Sequence, residues 1–147
     1  MLEIGVIPAC RRQVFRNRCN QAKLMNKIVI KTEKVKMEAE LNDSKTALAI
    51  WNALPLATEA DTWGEEIYFE IPVKADLENG TEEVHIGELG YWPQGSCFCI
   101  FFGLTPISSE GKIKPASAVS IIGKLLGAPE KWKEVAAGEW ISIEKSA

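Results

Sequence analysis

The sequence predicts a mainly β protein, built as a barrel or closed sheet of short strands with two short helices at its ends. Most segments alternate apolar and polar residues over a few positions, whereas two have helical spacing, and turn residues separate them. The chain has 147 residues, of which 46% are hydrophobic and 25% charged. This size and composition are typical of one soluble globular domain. Short strands with one apolar face favour a sheet that closes on itself.

The first elements are a hairpin and a helix. Residues 27–31 and 35–41 alternate apolar and polar side chains, which predicts two half-buried strands. Residues 42–44 (Asn-Asp-Ser) offer N-caps for a helix with Trp51 on its apolar face, and Pro55 ends it.

The next strands have different surroundings. In residues 66–72, Ile67, Phe69 and Ile71 are expected to face the core, while the alternate positions face water. Residues 97–102 are continuously apolar, which predicts a strand covered on both faces.

The remaining elements follow from turn signals. We expect a short strand at 84–86, an aromatic turn at 91–95, and a strand within 117–126. A helix should begin at Pro129 and end at Gly138, before a last strand that starts at residue 140.

Charge divides the chain into two parts. Residues 1–24 carry a net charge of +4 without a clear period, and residues 25–147 carry −7. We expect a flexible basic extension at 1–24 followed by the barrel domain at 25–147. The alternative for the extension is an arm that binds nucleic acid or an acidic partner. An acidic barrel should not bind nucleic acid. Without a signal peptide or an apolar run of about 20 residues, we expect a cytoplasmic protein with no membrane contact.

The cysteines do not form a metal motif. Cys97 and Cys99 are two apart on an apolar stretch, so in a strand they face one side, and we expect both to be reduced and buried. His85 is the single histidine, and no cluster has zinc-ligand spacing. We therefore expect no metal and no cofactor.

Four ordered segments carry a family resemblance. They are Thr62–Phe69 (TWGEEIYF), Gly87–Pro93 (GELGYWP), Phe101–Pro106 (FFGLTP) and Pro115–Lys124 (PASAVSIIGK). Across residues 27–145 the chain resembles small prokaryotic cyclophilin-like proteins. In the final third, residues 122–124 and 132–135 also resemble the strand–helix ending of true cyclophilins. The resemblance implies a closed eight-stranded antiparallel barrel with two capping helices.

The same resemblance implies a difference in activity. Cyclophilins isomerise the peptide bond before proline with an arginine that donates to the proline nitrogen, and guanidinium suits that task because its donors are rigid and always charged. Here every arginine lies at or before Arg18. By order, the arginine-bearing stretch corresponds to residues 89–91. Lys112 or Lys114 could approach instead, but lysine is flexible. We expect weak or no isomerase activity.

The candidate site residues follow from the exposed strand faces. We expect a peptide or small molecule, with a cationic group as one option, to bind in a groove of aromatic and thiol side chains, with a few acids nearby. The predicted groove residues are Tyr68, Tyr91, Trp92, Cys99 and Phe101. Three hypotheses stay open: a binding module, an atypical prolyl isomerase, and a small-molecule enzyme with His85 or Glu66 as the base. The simpler interpretation is that these aromatic side chains only pack against the end of the barrel and form no binding site.

Overall fold

The computed structural model describes residues 26–146, which form nine strands and two helices. The strands are β1 (Asn26–Lys31), β2 (Lys36–Leu41), β3 (Leu56–Glu59), β4 (Asp61–Thr62), β5 (Glu66–Glu70), β6 (Glu88–Trp92), β7 (Cys97–Phe101), β8 (Ser120–Leu125) and β9 (Trp140–Lys145). The helices are α1 (Lys45–Ala53) and a 3₁₀ helix (Pro129–Glu134). The proposed basic extension at 1–24 lies outside the described residues.

All nine strands belong to one antiparallel sheet that curls into a nearly closed barrel. Their order is β3-β9-β1-β2-β8-β6-β7-β5-β4. The two edge strands are successive parts of one segment, residues 56–62, which bends at Ala60. Its first part pairs with β9 and its second with β5, and the Ala60 N–H donates to the Glu139 carbonyl oxygen at 2.8 Å. This segment therefore closes the barrel, and counting it once gives eight strands. The mainly β, closed antiparallel barrel with two short helices is confirmed.

The barrel core is filled by the inward side chains of nearly every strand and by one face of each helix. Phe69 and Phe98 stack inside with ring centroids 5.2 Å apart. Helix α1 buries Ala47 and Ile50 against the barrel, and the 3₁₀ helix buries Trp132 completely. Each fully buried large side chain of this kind stabilises the fold by about 1.5–3 kcal/mol. Both helices are thus held by burial of apolar side chains.

The two helices begin where the sequence indicates. Ser44 is the N-cap of α1, and its hydroxyl accepts from the Ala47 N–H at 3.1 Å. The second helix begins at Pro129 but is a 3₁₀ helix that ends at Glu134, four residues before the predicted end. Val135 takes an extended conformation and is itself buried, so the chain leaves the helix there.

Two predicted elements differ from the structure. The turn expected at 91–95 is present but begins at Pro93, because the backbone of residues 91–92 pairs with β7 and ends strand β6. His85 is not in a strand: only the neighbouring Val84 makes an isolated bridge, to Ile113, and a turn follows. Within residues 26–146, no helix is long and apolar enough to cross a bilayer.

Candidate functional site

The register of three strands builds a surface on the outside of the barrel. On this face Tyr68 of β5 lies opposite Cys99 of β7, and Cys99 lies opposite Gly90 of β6. One step along, Trp92 lies opposite Cys97. Because side chains alternate along a strand, these residues point away from the barrel core.

A tight turn adds a tryptophan and an acid to this face. Trp63 and Glu66 exchange backbone hydrogen bonds of 2.9 and 3.2 Å across a two-residue turn between β4 and β5. Gly64 in that turn has φ of 63°, and a Cβ there would lie 2.8 Å from the Pro106 side chain. Glycine fits this left-handed position without strain. The turn thus places Trp63 directly opposite Glu66 on the same face of the sheet.

The chain between β7 and β8 covers part of the same face. Its Ile113 and Val119 side chains join the outward residues of β7 in a second apolar cluster, the outer cluster. The outer cluster comprises Val84, Cys97, Cys99, Phe101, Ile113 and Val119. The Trp92 indole N–H donates to the Ser117 hydroxyl at 2.6 Å, which ties this chain segment to β6.

Between these parts lies a cleft of about 290 Å³, which we call the Glu66 cleft. Its lining residues are Trp63, Glu66, Tyr68, Trp92, Cys99, Pro115, Ala116 and Val119. The three aromatic side chains are only half-buried. Gly90 leaves room beside the cleft floor, since a Cβ there would lie 3.1 Å from the Phe101 ring and 3.2 Å from Val119. The volume is near the lower end of the range for small-molecule pockets.

Glu66 is the buried acid of this cleft. It is 5% exposed, and its Oε1 atom has no hydrogen-bond partner among the described residues. Burial raises the pKa of Glu66 from 4.5 to about 7, because the charged form loses water, although a hydrogen bond with the Cys99 thiol opposes part of that rise. The carboxyl can therefore gain or lose a proton near neutral pH.

The surroundings of Glu66 are acidic. The Tyr68 hydroxyl donates to Asp61 Oδ2 at 3.4 Å, and burial followed by the charge of Asp61 raises the pKa of Tyr68. Burial raises the pKa of Cys97 to about 11, with further contributions from the charges of Glu70 and Glu66. Burial and Glu66 also raise the pKa of Cys99, so both thiols are protonated and unreactive as nucleophiles.

The structure brings together four of the residues singled out from sequence. Glu66, Tyr68, Trp92 and Cys99 all line the Glu66 cleft. Phe101 lies on the same outer face but is fully buried in the outer cluster.

Tyr91 lies on the other side of the sheet. Its side chain is fully buried in the barrel core, and its hydroxyl donates to the Val73 carbonyl oxygen at 2.5 Å. The structure therefore does not bring Tyr91 to the cleft. Its neighbour Trp92 does line the cleft, because adjacent strand residues point to opposite faces.

His85 lies in a separate hollow. Its side chain is 82% exposed, and Nδ1 is 3.4 Å from Glu88 Oε1. That hollow, of about 540 Å³, contains the ion pair of Lys133 with Glu65 at 3.6 Å. Another hollow, of about 420 Å³, contains the pair of Lys124 with Glu40 at 3.8 Å. Both hollows are larger than the Glu66 cleft, and in each of them one of the lining acids is paired with a lysine.

Four of the residues that line the Glu66 cleft were not predicted from the sequence. Trp63 is within a resembling segment and next to a glycine turn, which was a usable signal. Pro115, Ala116 and Val119 also lie within a resembling segment, but they reach the cleft only through the fold of an 18-residue connection, residues 102–119, which the sequence does not predict.

A metal centre does not arise from these residues. Among residues 26–146, no three or more histidine, cysteine, aspartate or glutamate side chains are grouped to hold a metal ion. Cys97 and Cys99 are both free and buried, as predicted.

The fold and the outer cleft define a β-barrel protein with a small aromatic and acidic recess. A family model described as Cyclophilin-like matches residues 26–144. The chain therefore belongs to the cyclophilin-like family. A solved structure, the solution structure of a hypothetical protein from Archaeoglobus fulgidus, is 40% identical and superposes with a TM-score of 0.73. The match covers 83% of this chain and 95% of that one. A search of curated proteins finds no significant match.

Proposed function

We propose that this cyclophilin-like protein is a binding module that takes a small molecule, or one side chain of a peptide, in the Glu66 cleft. One observation carries the proposal: three half-buried aromatic side chains surround a carboxyl that is buried without a partner for one oxygen. A buried polar atom without a partner costs about 1–3 kcal/mol. A ligand that supplied the missing hydrogen bond would recover part of that cost.

Binding fits these residues better than catalysis by proton transfer. Acid–base chemistry in the cleft would depend on Glu66 alone, because the raised pKa of the neighbouring Cys99 thiol keeps that group protonated. His85, the other candidate base, faces a different hollow. Binding also fits better than cyclophilin-type isomerisation, because residues 26–146 contain no arginine and no lysine lines the cleft.

The five tryptophans provide a test. Trp63 and Trp92 line the cleft, whereas Trp51, Trp132 and Trp140 are elsewhere. Titration with benzyl alcohol, indole or acetyl-alanyl-proline amide should shift the indole N–H resonances of Trp63 and Trp92 saturably for at least one probe. The other three resonances should move little.

A matched pair of variants locates the binding. Ala116 is an exposed residue on the cleft wall, and Ala137 is exposed away from it. Ala116→Leu should weaken binding of the probe by narrowing the cleft, and Ala137→Leu should not. Absence of saturable shifts at Trp63 and Trp92 with all three probes would count against the proposed function.

A further inference from the structure

The charged groups that line or adjoin the Glu66 cleft are acidic. Glu66 is the only charged residue among its lining residues. On the same outer face, Asp61 bonds to the hydroxyl of Tyr68, and Glu70 lies opposite Cys97. Lys114, although next to Pro115, faces a separate hollow that also contains Glu82. An ion placed in the cleft would meet negative groups without a competing cation from the lining residues.

We propose that the Glu66 cleft binds an organic ammonium ion that carries at least one N–H, with the N–H directed to the Glu66 carboxyl and its carbon substituents against Trp63, Tyr68 and Trp92. This inference rests on the proposed function and names its ligand class. Such ligands include small amines and lysine-like side chains.

Two features of the cleft select this chemistry. The unpartnered Oε1 of Glu66 requires a hydrogen-bond donor, and a charged N–H makes a hydrogen bond roughly twice as strong as a neutral one. Aromatic faces attract cations by about 0.5–2 kcal/mol each, depending on how far the ion is desolvated. A neutral donor would make only the weaker hydrogen bond to Oε1 and would lack the attraction of a cation to the aromatic faces, and a quaternary ammonium would leave Oε1 unpartnered.

Binding of this kind is coupled to a proton. Tyr68 and Glu70 on β5, Cys97 and Cys99 on β7, and Asp61 on β4 face this region, and none of them is a cation. Because burial raises the pKa of Glu66 to about 7, about half of the molecules carry a neutral carboxyl at neutral pH. An ammonium ion favours the charged carboxyl, so its binding near pH 7 releases a proton to solvent.

Three benzyl compounds of similar size test the inference by the Trp63 and Trp92 indole shifts. At pH 8, benzylamine should bind at least tenfold more tightly than neutral benzyl alcohol, and more tightly than benzyltrimethylammonium, which has no N–H. Benzylamine should bind about tenfold more weakly at pH 6 than at pH 8, because protons compete below the pKa of Glu66. Near pH 7, calorimetry in buffers of different ionisation enthalpy should report proton release.

Two glutamate-to-glutamine variants, one inside the cleft and one outside it, supply the control. Glu66→Gln should remove the preference for benzylamine, its pH dependence and the proton release, while benzyl alcohol still binds. Glu38→Gln, at an exposed position of β2 four strands away from β5, should leave all three unchanged.

Each adverse outcome is distinct. Equal binding of benzylamine and benzyl alcohol to the wild-type protein, with Trp63 and Trp92 shifted by both, would overturn the ammonium inference and leave the proposed function intact. Equal binding of benzyltrimethylammonium and benzylamine would overturn the N–H contact to Glu66. Absence of shifts at Trp63 and Trp92 with every probe would overturn both proposals. The pH dependence of the wild-type protein provides this test even if a variant fails to fold.

Discussion

Glu66 combines two properties that a strand residue seldom has together: it points outward from the barrel, and it is buried. The alternation of β5 places it on the outer face, as the sequence predicts. The expected contact of that face with water is wrong at Glu66, although Glu70 is exposed. Trp63 and the chain segment before β8 help to bury Glu66. Their positions depend on tertiary contacts, which the alternation of apolar and polar residues along a strand does not encode.

Burial of Glu66 should make the stability of the protein depend on pH. Its pKa is raised in the folded state, so the folded state holds more protons than the unfolded state between about pH 4.5 and 7. Stability contributed by this group is therefore fully present at low pH and is lost as the pH rises through about 7. Relative to the wild-type protein, Glu66→Gln should gain roughly 3 kcal/mol in free energy of unfolding between pH 4 and pH 8.

Urea unfolding of both proteins across that pH range measures this difference. Glu38→Gln is the control, and its pH profile should follow the wild type. Parallel profiles for Glu66→Gln and wild type would show that the carboxyl keeps its ordinary pKa in the folded protein.

The neighbouring pair Tyr91 and Trp92 shows where the sequence was ambiguous. Two aromatics before Pro93 are compatible with a turn, and only the pairing of β6 with both β7 and β8 makes them a strand end. Once they are in a strand, alternation sends one to the barrel core and the other to the Glu66 cleft. The aromatic character of Trp92 was therefore enough to suggest a place in the groove. That Tyr91 points to the opposite face could be predicted only if both residues were known to lie in a strand.

At the level of elements, strands with clear alternation were predictable and the closing segment was not. Strands β1 and β2 have apolar residues at every second position, and their hairpin is present in register. Residues 56–62 (LATEADT) contain alanine and acids with low strand propensity, so they resemble a loop. They become strands because β9 and β5 offer free edges on either side, a condition set by the whole barrel.

Two glycines on β6 and β8 differ in what surrounds them, and this difference can be tested. A Cβ on Gly123 would lie 2.1 Å from the Glu40 carbonyl oxygen, which is backbone of the paired strand β2 and cannot move without opening the sheet. A Cβ on Gly90 would meet the side chains of Phe101 and Val119 at 3.1–3.2 Å, and these can shift by a few tenths of an ångström. Gly123→Ala should cost about 3 kcal/mol or more, and Gly90→Ala about 1 kcal/mol.

Chemical denaturation of the two alanine variants beside the wild type gives both costs. If Gly123→Ala is expressed only in unfolded form, the lower limit is already exceeded. Equal and small costs at the two sites would mean that β2 and β8 are not in close contact at Gly123.

For the whole molecule, the fold shared with the family accounts for the barrel but not for what the protein does. The resembling segments predicted the barrel because they mark strand ends and turns that every member of such a fold must form. They did not predict what the cleft binds, although its glutamate and its three aromatic side chains lie within them, because a fold does not by itself specify a ligand. The recess therefore has to be interpreted from its own charges and volume.

The whole barrel should not accelerate prolyl isomerisation. The uncatalysed exchange takes tens to hundreds of seconds because the amide has partial double-bond character. Catalysis needs a fixed donor at the proline nitrogen as the amide twists. Residues 26–146 offer no guanidinium, and the Glu66 cleft presents a carboxyl instead. In exchange spectroscopy with a short alanyl-proline peptide, the rate with the protein should therefore equal the rate without it. An acceleration that Ala116→Leu abolishes and Ala137→Leu preserves would place isomerase activity in this cleft and contradict the requirement for a cationic donor.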